Sequence, residues 1–193
     1  MKKQTPDMRQ HIIDVARALI THKGYSAVGI AEIVNAAGIP KGSFYYYFKS
    51  KEEFAEALLE HYFSHYLQQV DTQLSGSGSA RERLDRYFSF WKETQGADLP
   101  ESKCLVVKLG AEVCDQYDSM RHILAKGTDK IVQKIAQCVS EGQQDGSLPA
   151  GPDADELAEE LYQLWLGASL MAKIHAPEKA FNKAMNATMR LLA

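Results

Sequence analysis

Residues 30–48 read Ile30-Ala31-Glu32-Ile33-Val34-Asn35-Ala36-Ala37-Gly38-Ile39-Pro40-Lys41-Gly42-Ser43-Phe44-Tyr45-Tyr46-Tyr47-Phe48. The first half puts Ile30, Ile33, Val34 and Ala37 at helical spacing, and Gly38 ends the piece. Ile39-Pro40 interrupts the chain, and a second short helix follows from Lys41 to Phe48. Two short helices split in this way form a helix-turn-helix unit. Such a unit lays its second helix in the DNA major groove, with N-terminal residues nearest the base edges. Here that helix offers Lys41, Gly42, Ser43, Tyr45, Tyr46 and Tyr47. Lys41 can donate to guanine or phosphate, Gly42 lets the backbone come close, and the tyrosine hydroxyls can reach phosphates. Phe44 and Phe48, four residues apart, are read as core. Three consecutive tyrosines cannot share one helix face, so at least one packs inward; Tyr45 and Tyr47 are favoured for phosphate contact over Tyr46.

The flanking sequence is helical throughout. Thr5-Pro6 supplies an N-cap and a first-turn proline; Ile12, Ile13, Ala16, Leu19 and Ile20 follow, and Gly24 stops that helix. Ser50-Lys51-Glu52-Glu53 is a capping box opening a long helix to about Leu74. Ser75 to Ser79 is a loop, and Ser79-Ala80-Arg81-Glu82 is a second capping box. Its helix carries Leu84, Tyr87, Phe88 and Trp91 and ends near Gly96, before a turn from Asp98 to Ser102. Helices from about Lys103 to Cys114 and about Asp118 to Gln144 come next. Asp153 then caps an apolar helix to about Ala176, and Pro177 starts the last one. The expectation is an all-α protein of nine helices, with a head over 1–50 and a body over 51–193.

Composition limits the function. The chain has 193 residues and a net charge of −3, but residues 1–51 carry +5 and the remainder −8. A basic head on an acidic body suits a nucleic-acid-binding module with a separate second domain. Three cysteines point to a reducing, cytoplasmic setting rather than a disulfide scaffold. No apolar run approaches the roughly 18 residues of a membrane span. No cysteine or histidine spacing matches a zinc motif, and no glycine loop indicates a cofactor.

The head resembles a known family. Gly24-Tyr25, Ile30, Ile33, Ala37-Gly38-Ile39, Lys41-Gly42-Ser43-Phe44-Tyr45, Tyr47-Phe48 and Lys51-Glu52 are similar to the DNA-binding domain of TetR/AcrR-type repressors, over roughly residues 8–54. The resemblance implies that the third helix reads DNA and that the lysine opening the fourth touches phosphate. Those roles fall on Lys41, Gly42, Ser43, Tyr45, Tyr46, Tyr47 and Lys51. Gly29 and Pro40 depart from the pattern, each standing where the family usually has Ser or Thr. Both remove a hydroxyl donor, although glycine can cap a helix and proline suits its start.

The segments Lys103 to Asp115, Leu164 to Ala168 and Ala172 to Ile174 look similar to the N-ethylmaleimide- and electrophile-responsive repressors of that family. That similarity implies a reactive cysteine at Cys104 whose attack by quinones, aldehydes or oxidants releases the repressor from DNA. Residue chemistry supports the position: a first-turn cysteine near Lys103 and Lys108 is biased towards thiolate. Cys114, at the far helix end beside Asp115, is not, and Cys138 reads as core. A Cys104–Cys114 disulfide is a poor fit, because ten helical residues span about 15 Å, while a bridge needs under roughly 7 Å. Lys173 is a dipole-complementing C-terminal lysine or, in the sharper reading, a neighbour that activates Cys104 or traps its oxidised form.

The implied architecture is a homodimer on pseudo-palindromic double-stranded operator DNA, paired through its last two helices. Interface candidates are Leu161, Trp165, Ala168, Met171, Phe181, Met185 and Met189. The alternative to a small electrophile is a reversible, largely apolar inducer in a pocket of Tyr87, Trp91, Leu109, Met120, Tyr162 and Trp165. An enzyme reading finds no Cys-x-x-Cys and no Ser/His/Asp pattern to support it. The similarity further implies control of a detoxification gene.

Overall fold

The computed structural model describes residues 7–96 and 103–193. Among the described residues it contains nine α-helices and no strand. They are α1 (Met8–Lys23), α2 (Ile30–Ala36), α3 (Lys41–Tyr47), α4 (Lys51–Leu74), α5 (Ala80–Gly96), α6 (Leu105–Val113), α7 (Asp118–Asp145), α8 (Ala154–Ile174) and α9 (Pro177–Leu191).

Local chemistry sets most of the ends. Ser50 Oγ accepts from the Glu53 amide at 3.0 Å, while Glu53 reaches back to the Lys49 amide at 3.0 Å. Ser79 and Glu82 form the reciprocal box, at 3.3 Å and 2.8 Å. Asp153 caps α8 by accepting from the amides of Asp155 and Glu156. At the first helix the observed cap is Asp7, which accepts from Arg9 at 3.0 Å. The expected Thr5-Pro6 start lies outside the described residues, as does the turn from Asp98 to Ser102. Three helices are shorter than the sequence predicts: Phe48, expected within α3, is its extended C-cap. Cys104 has an extended backbone and serves as the N-cap of α6, and His175, also extended, closes α8.

In the head, α1, α2, α3 and the start of α4 enclose Phe44, Phe48 and Phe54, each at most 1% exposed. The three rings pack with centroids 5.2–5.6 Å apart. The turn between α2 and α3 is a Schellman motif: Ile39 N donates to Val34 O at 3.0 Å and Gly38 N to Asn35 O at 3.2 Å. It requires φ +66° at Gly38, a left-handed conformation that glycine adopts without steric cost.

In the body, α4 lies along α7, α7 along α8 and α8 along α9, while α5 packs on α4, α7 and α9. An aromatic cluster fills the centre. Trp165 stacks on Phe88 at 5.1 Å and Phe181 at 6.1 Å, and Trp91 meets Tyr87, Tyr162 and Trp165. Its two indole N–H groups are satisfied internally: Trp91 donates to Ser169 Oγ at 3.0 Å and Trp165 to Thr188 Oγ1 at 2.8 Å.

Candidate DNA-reading surface and sensor cysteine

α3 presents its outer face to solvent. Lys41 and Gly42 are exposed, and Ser43 is half-buried in the first turn. A Cβ added at Gly42 would meet nothing within 4 Å, so this is the point where a groove wall could approach the backbone most closely. Tyr46 is 82% exposed and Tyr45 48%, whereas Tyr47 is half-buried against the core. The inward tyrosine is therefore Tyr47, one of the two favoured for phosphate, and Tyr46 is the most available. Tyr47 is held by an edge contact with Tyr46 at 4.9 Å.

Lys51 does not extend freely. Its Nζ donates to Tyr25 O at 2.8 Å and sits 4.2 Å from the Tyr25 ring centroid. Partial burial holds its pKa below the usual lysine value, against an opposing pull from Glu112. Gly29 and Pro40 occupy the N-cap positions of α2 and α3, and neither cap is made by a side chain.

Cys104 is 7% exposed at the N-cap of α6, where its amide donates to Gln95 Oε1 at 2.8 Å. Its Sγ accepts from the Tyr62 hydroxyl at 3.8 Å. Burial pushes the thiol pKa up; the amides of Val107 and Val106, the Tyr62 hydroxyl and the charge of Lys173 pull it down without overcoming that rise. The sequence-based bias towards thiolate is therefore outweighed by desolvation. The two lysines expected to help point elsewhere: Lys103 donates to Gln95 O at 3.0 Å and Lys108 to His22 O at 3.2 Å. Lys173, from the end of α8, supplies the positive charge, and its own pKa is lowered by burial and by Lys108.

Tyr62 is the residue the sequence does not reveal, since 42 positions separate it from Cys104 and no local spacing links them. Its ring stacks on Tyr66 at 5.8 Å, and the Arg17 guanidinium of α1 lies 5.5 Å from its centroid. The phenol beside the thiol thus also touches the head. Half-buried Tyr66 and buried Tyr87 and Tyr162 complete a group of phenols whose pKa values desolvation raises. The Tyr87 hydroxyl makes no hydrogen bond of ordinary geometry, although it lies within electrostatic reach of Tyr66.

The expected pocket residues Tyr87, Trp91, Leu109, Met120, Tyr162 and Trp165 are each at most 5% exposed and fill the body's core. Tyr162 also borders a cavity of about 750 Å³ between α6, α7 and α8, with Val106, Cys114, Leu124, Val132 and Leu166. Cys114 is half-buried there; Cys138 is buried, with its pKa pushed up to about 11 by desolvation.

The expected interface residues divide. Leu161, Trp165 and Phe181 are at most 1% exposed and belong to the protomer's own core, so they cannot meet a second copy directly. Met171 and Met189 are 43% and 51% exposed, Met185 is half-buried, and Ala168 lines a groove. That groove, of about 820 Å³ between α8 and α9, is walled by Leu164, Ala168, Leu170, Met171 and Ala180.

Residues 12–58 match the family described as bacterial regulatory proteins, tetR family, and residues 80–188 match the tetracyclin repressor-like C-terminal domain. The chain is 34% identical to the HTH-type transcriptional repressor NemR of Escherichia coli K12, an alignment covering 100% of this chain and 98% of NemR. It is 37% identical to the transcriptional regulator AcuR of Cereibacter sphaeroides, over 86% of this chain and 76% of AcuR. The crystal structure of reduced Escherichia coli NemR superposes with a TM-score of 0.91 at 34% identity, covering 97% of each chain. An exposed α3 on a three-helix head, joined by α4 to a helical body that matches end to end, makes this chain a member of the TetR family of transcriptional regulators.

Proposed function

We propose that the chain is a dimeric transcriptional repressor that binds operator DNA through α3 and releases it when Cys104 reacts with electrophiles or oxidants. Its targets in this reading are detoxification genes. The observation that carries the sensing half is the setting of Cys104: a thiol at a helix N-cap, under a phenol donor and a lysine charge. The similarity to NemR along the whole chain supports the same reading.

In the DNA-binding half, the head over 1–50 is the reading unit. Lys41, Gly42, Ser43, Tyr45 and Tyr46 face the groove, and Tyr47 and Lys51 contribute at its edge. Two heads on a two-fold axis read half-sites roughly 34–36 Å apart, which gives a pseudo-palindromic operator. In the sensing half, the Cys104 thiolate adds to the electron-poor carbon of the electrophile, and the adduct takes the proton that the thiol gave up. The added bulk sits in a packed site that includes Tyr62, whose ring meets Arg17 of α1.

A second reading is reversible induction by a largely apolar ligand; the 750 Å³ cavity beside Tyr162 offers it Val106, Leu124, Val132 and Leu166, with Arg121, Asp129, Asp155 and Glu159 at the same site for a polar end. One experiment separates them. The protein is bound to its own upstream DNA, and N-ethylmaleimide, a quinone, methylglyoxal or hypochlorite is added to wild type and Cys104→Ser. The thiol mechanism requires release by wild type and retention by the variant. Equal release from both proteins sinks it in favour of the cavity.

A further inference from the structure

The turn joining α1 to α2 is held by a helix far away in sequence. Glu112, in the last turn of α6, accepts from the backbone N–H of Ser26 at 2.5 Å and of Tyr25 at 3.1 Å. One turn earlier on α6, Lys108 donates Nζ to His22 O at 3.2 Å. From α4, Lys51 donates to the carbonyl of the same Tyr25 at 2.8 Å. Gly24 lies at φ +96°, and a Cβ built there would come within 2.9 Å of Glu112 Oε2. Successive backbone N–H groups following a positive-φ glycine form a concave anion site, and here the protein's own carboxylate fills it.

The aromatic core of the head is made without this contact, since Phe44, Phe48 and Phe54 pack among themselves. Glu112 is half-buried at the boundary between head and body. Its pKa is raised by burial, but the Ser26 and Tyr25 amides, the Ser26 hydroxyl and Lys108 bring it below the ordinary glutamate value, so the bond stays charged at neutral pH. A carboxylate anchored in a turn constrains direction as well as distance.

We propose that Glu112 is a positioning residue: it latches the α1–α2 turn onto α6 and fixes the angle at which the helix-turn-helix is presented to DNA. The proposal rests on the operator-binding reading and is independent of Cys104. A two-headed protein must place both recognition helices in register at once. A head freed from α6 has to be ordered at the moment of binding, and that cost appears as lost affinity.

The test uses full-length wild type, Glu112→Gln, Glu112→Ala and Lys108→Met, with binding to the upstream DNA fragment read by fluorescence anisotropy. Amide hydrogen exchange over residues 22–28 and 44–54 and thermal melting are recorded on the same proteins. Glu112→Ala should weaken operator binding about tenfold, with Glu112→Gln intermediate because an amide oxygen restores the acceptor without the charge. Exchange should quicken over 22–28 and stay unchanged over 44–54. Lys108→Met, which leaves the carboxylate in place, should show a smaller loss of the same kind. Operator affinity of Glu112→Ala within about twofold of wild type overturns the proposal. So does equal loosening of 44–54, which would make Glu112 a general stabiliser. Failure of wild type to bind DNA sinks the operator reading first, before any variant is compared, and the proposal with it.

Discussion

Cys104 shows how little a residue's local sequence says about its reactivity. The start of a helix lowers a thiol pKa and burial raises it, and only the first is written in neighbouring residues. In this protein burial wins, while Lys173 and the Tyr62 hydroxyl partly offset it. The direction of the shift fixes a pH dependence. Below its raised pKa the thiolate fraction grows with each increment of pH, so alkylation of Cys104 by N-ethylmaleimide should keep accelerating as pH rises through neutrality, without a plateau at or below neutral pH. The measurement is a second-order rate constant in a Cys114→Ser, Cys138→Ser background. Lys173→Met removes a charge that favours thiolate, so its rate at pH 7.5 should fall about threefold. A plateau at or below neutral pH, or no change in Lys173→Met, would show that the thiol is activated by something other than these neighbours.

At the scale of elements, caps that act over three residues can be read from sequence, and caps that act across the fold cannot. Ser50, Ser79, Asp153, Gly24 and Gly38 each mark an end correctly because donor and acceptor lie within one turn. The predicted start of α6 at Lys103 fails for the opposite reason: the Cys104 amide is captured by Gln95 of α5, which holds Cys104 extended as the cap. The α1–α2 turn is legible as a stop at Gly24, but its docking to Glu112, 87 positions from Tyr25, is not. Lys108 and Glu112 lie four apart on α6, and both reach across to the head. Ser50 gives the cleanest test of the local class. Ser50→Ala leaves the Glu53 amide without its acceptor and should cost about 1 kcal/mol of stability. A urea denaturation midpoint unchanged from wild type would mean that the cap at the head–body junction contributes nothing.

For the whole molecule, apolar periodicity identifies the faces that leave water but cannot say what covers them. Leu161 and Trp165 share their helix with Leu170, Met171 and Ile174, and the first pair serves the protomer's own core. The second set stays 43–63% exposed beside the 820 Å³ groove, whose α9 wall is Ala180, Ala184, Lys179 and Lys183, while exposed Met189 lies on the side of α9 that faces α5. Apolar surface gathered beside a groove is the pattern of an association face, and in the proposed dimer a second copy covers it. Charge placed there should separate assembly from folding. Leu170→Glu with Ile174→Glu adds like charges to a face that must be desolvated, while both side chains are solvent-exposed within the protomer. Light scattering should report a monomer with unchanged helical circular dichroism. Operator binding should fall by about a hundredfold or more, because the second head no longer binds at the high effective concentration set by the first. Trp165→Ala should behave differently: the loss of a core indole costs about 3–5 kcal/mol and lowers stability whatever the assembly state. A doubly charged variant that remains dimeric would move the interface off this groove. One that becomes monomeric yet binds operator as tightly as wild type would show that a single head suffices, and two-fold reading would fall with it.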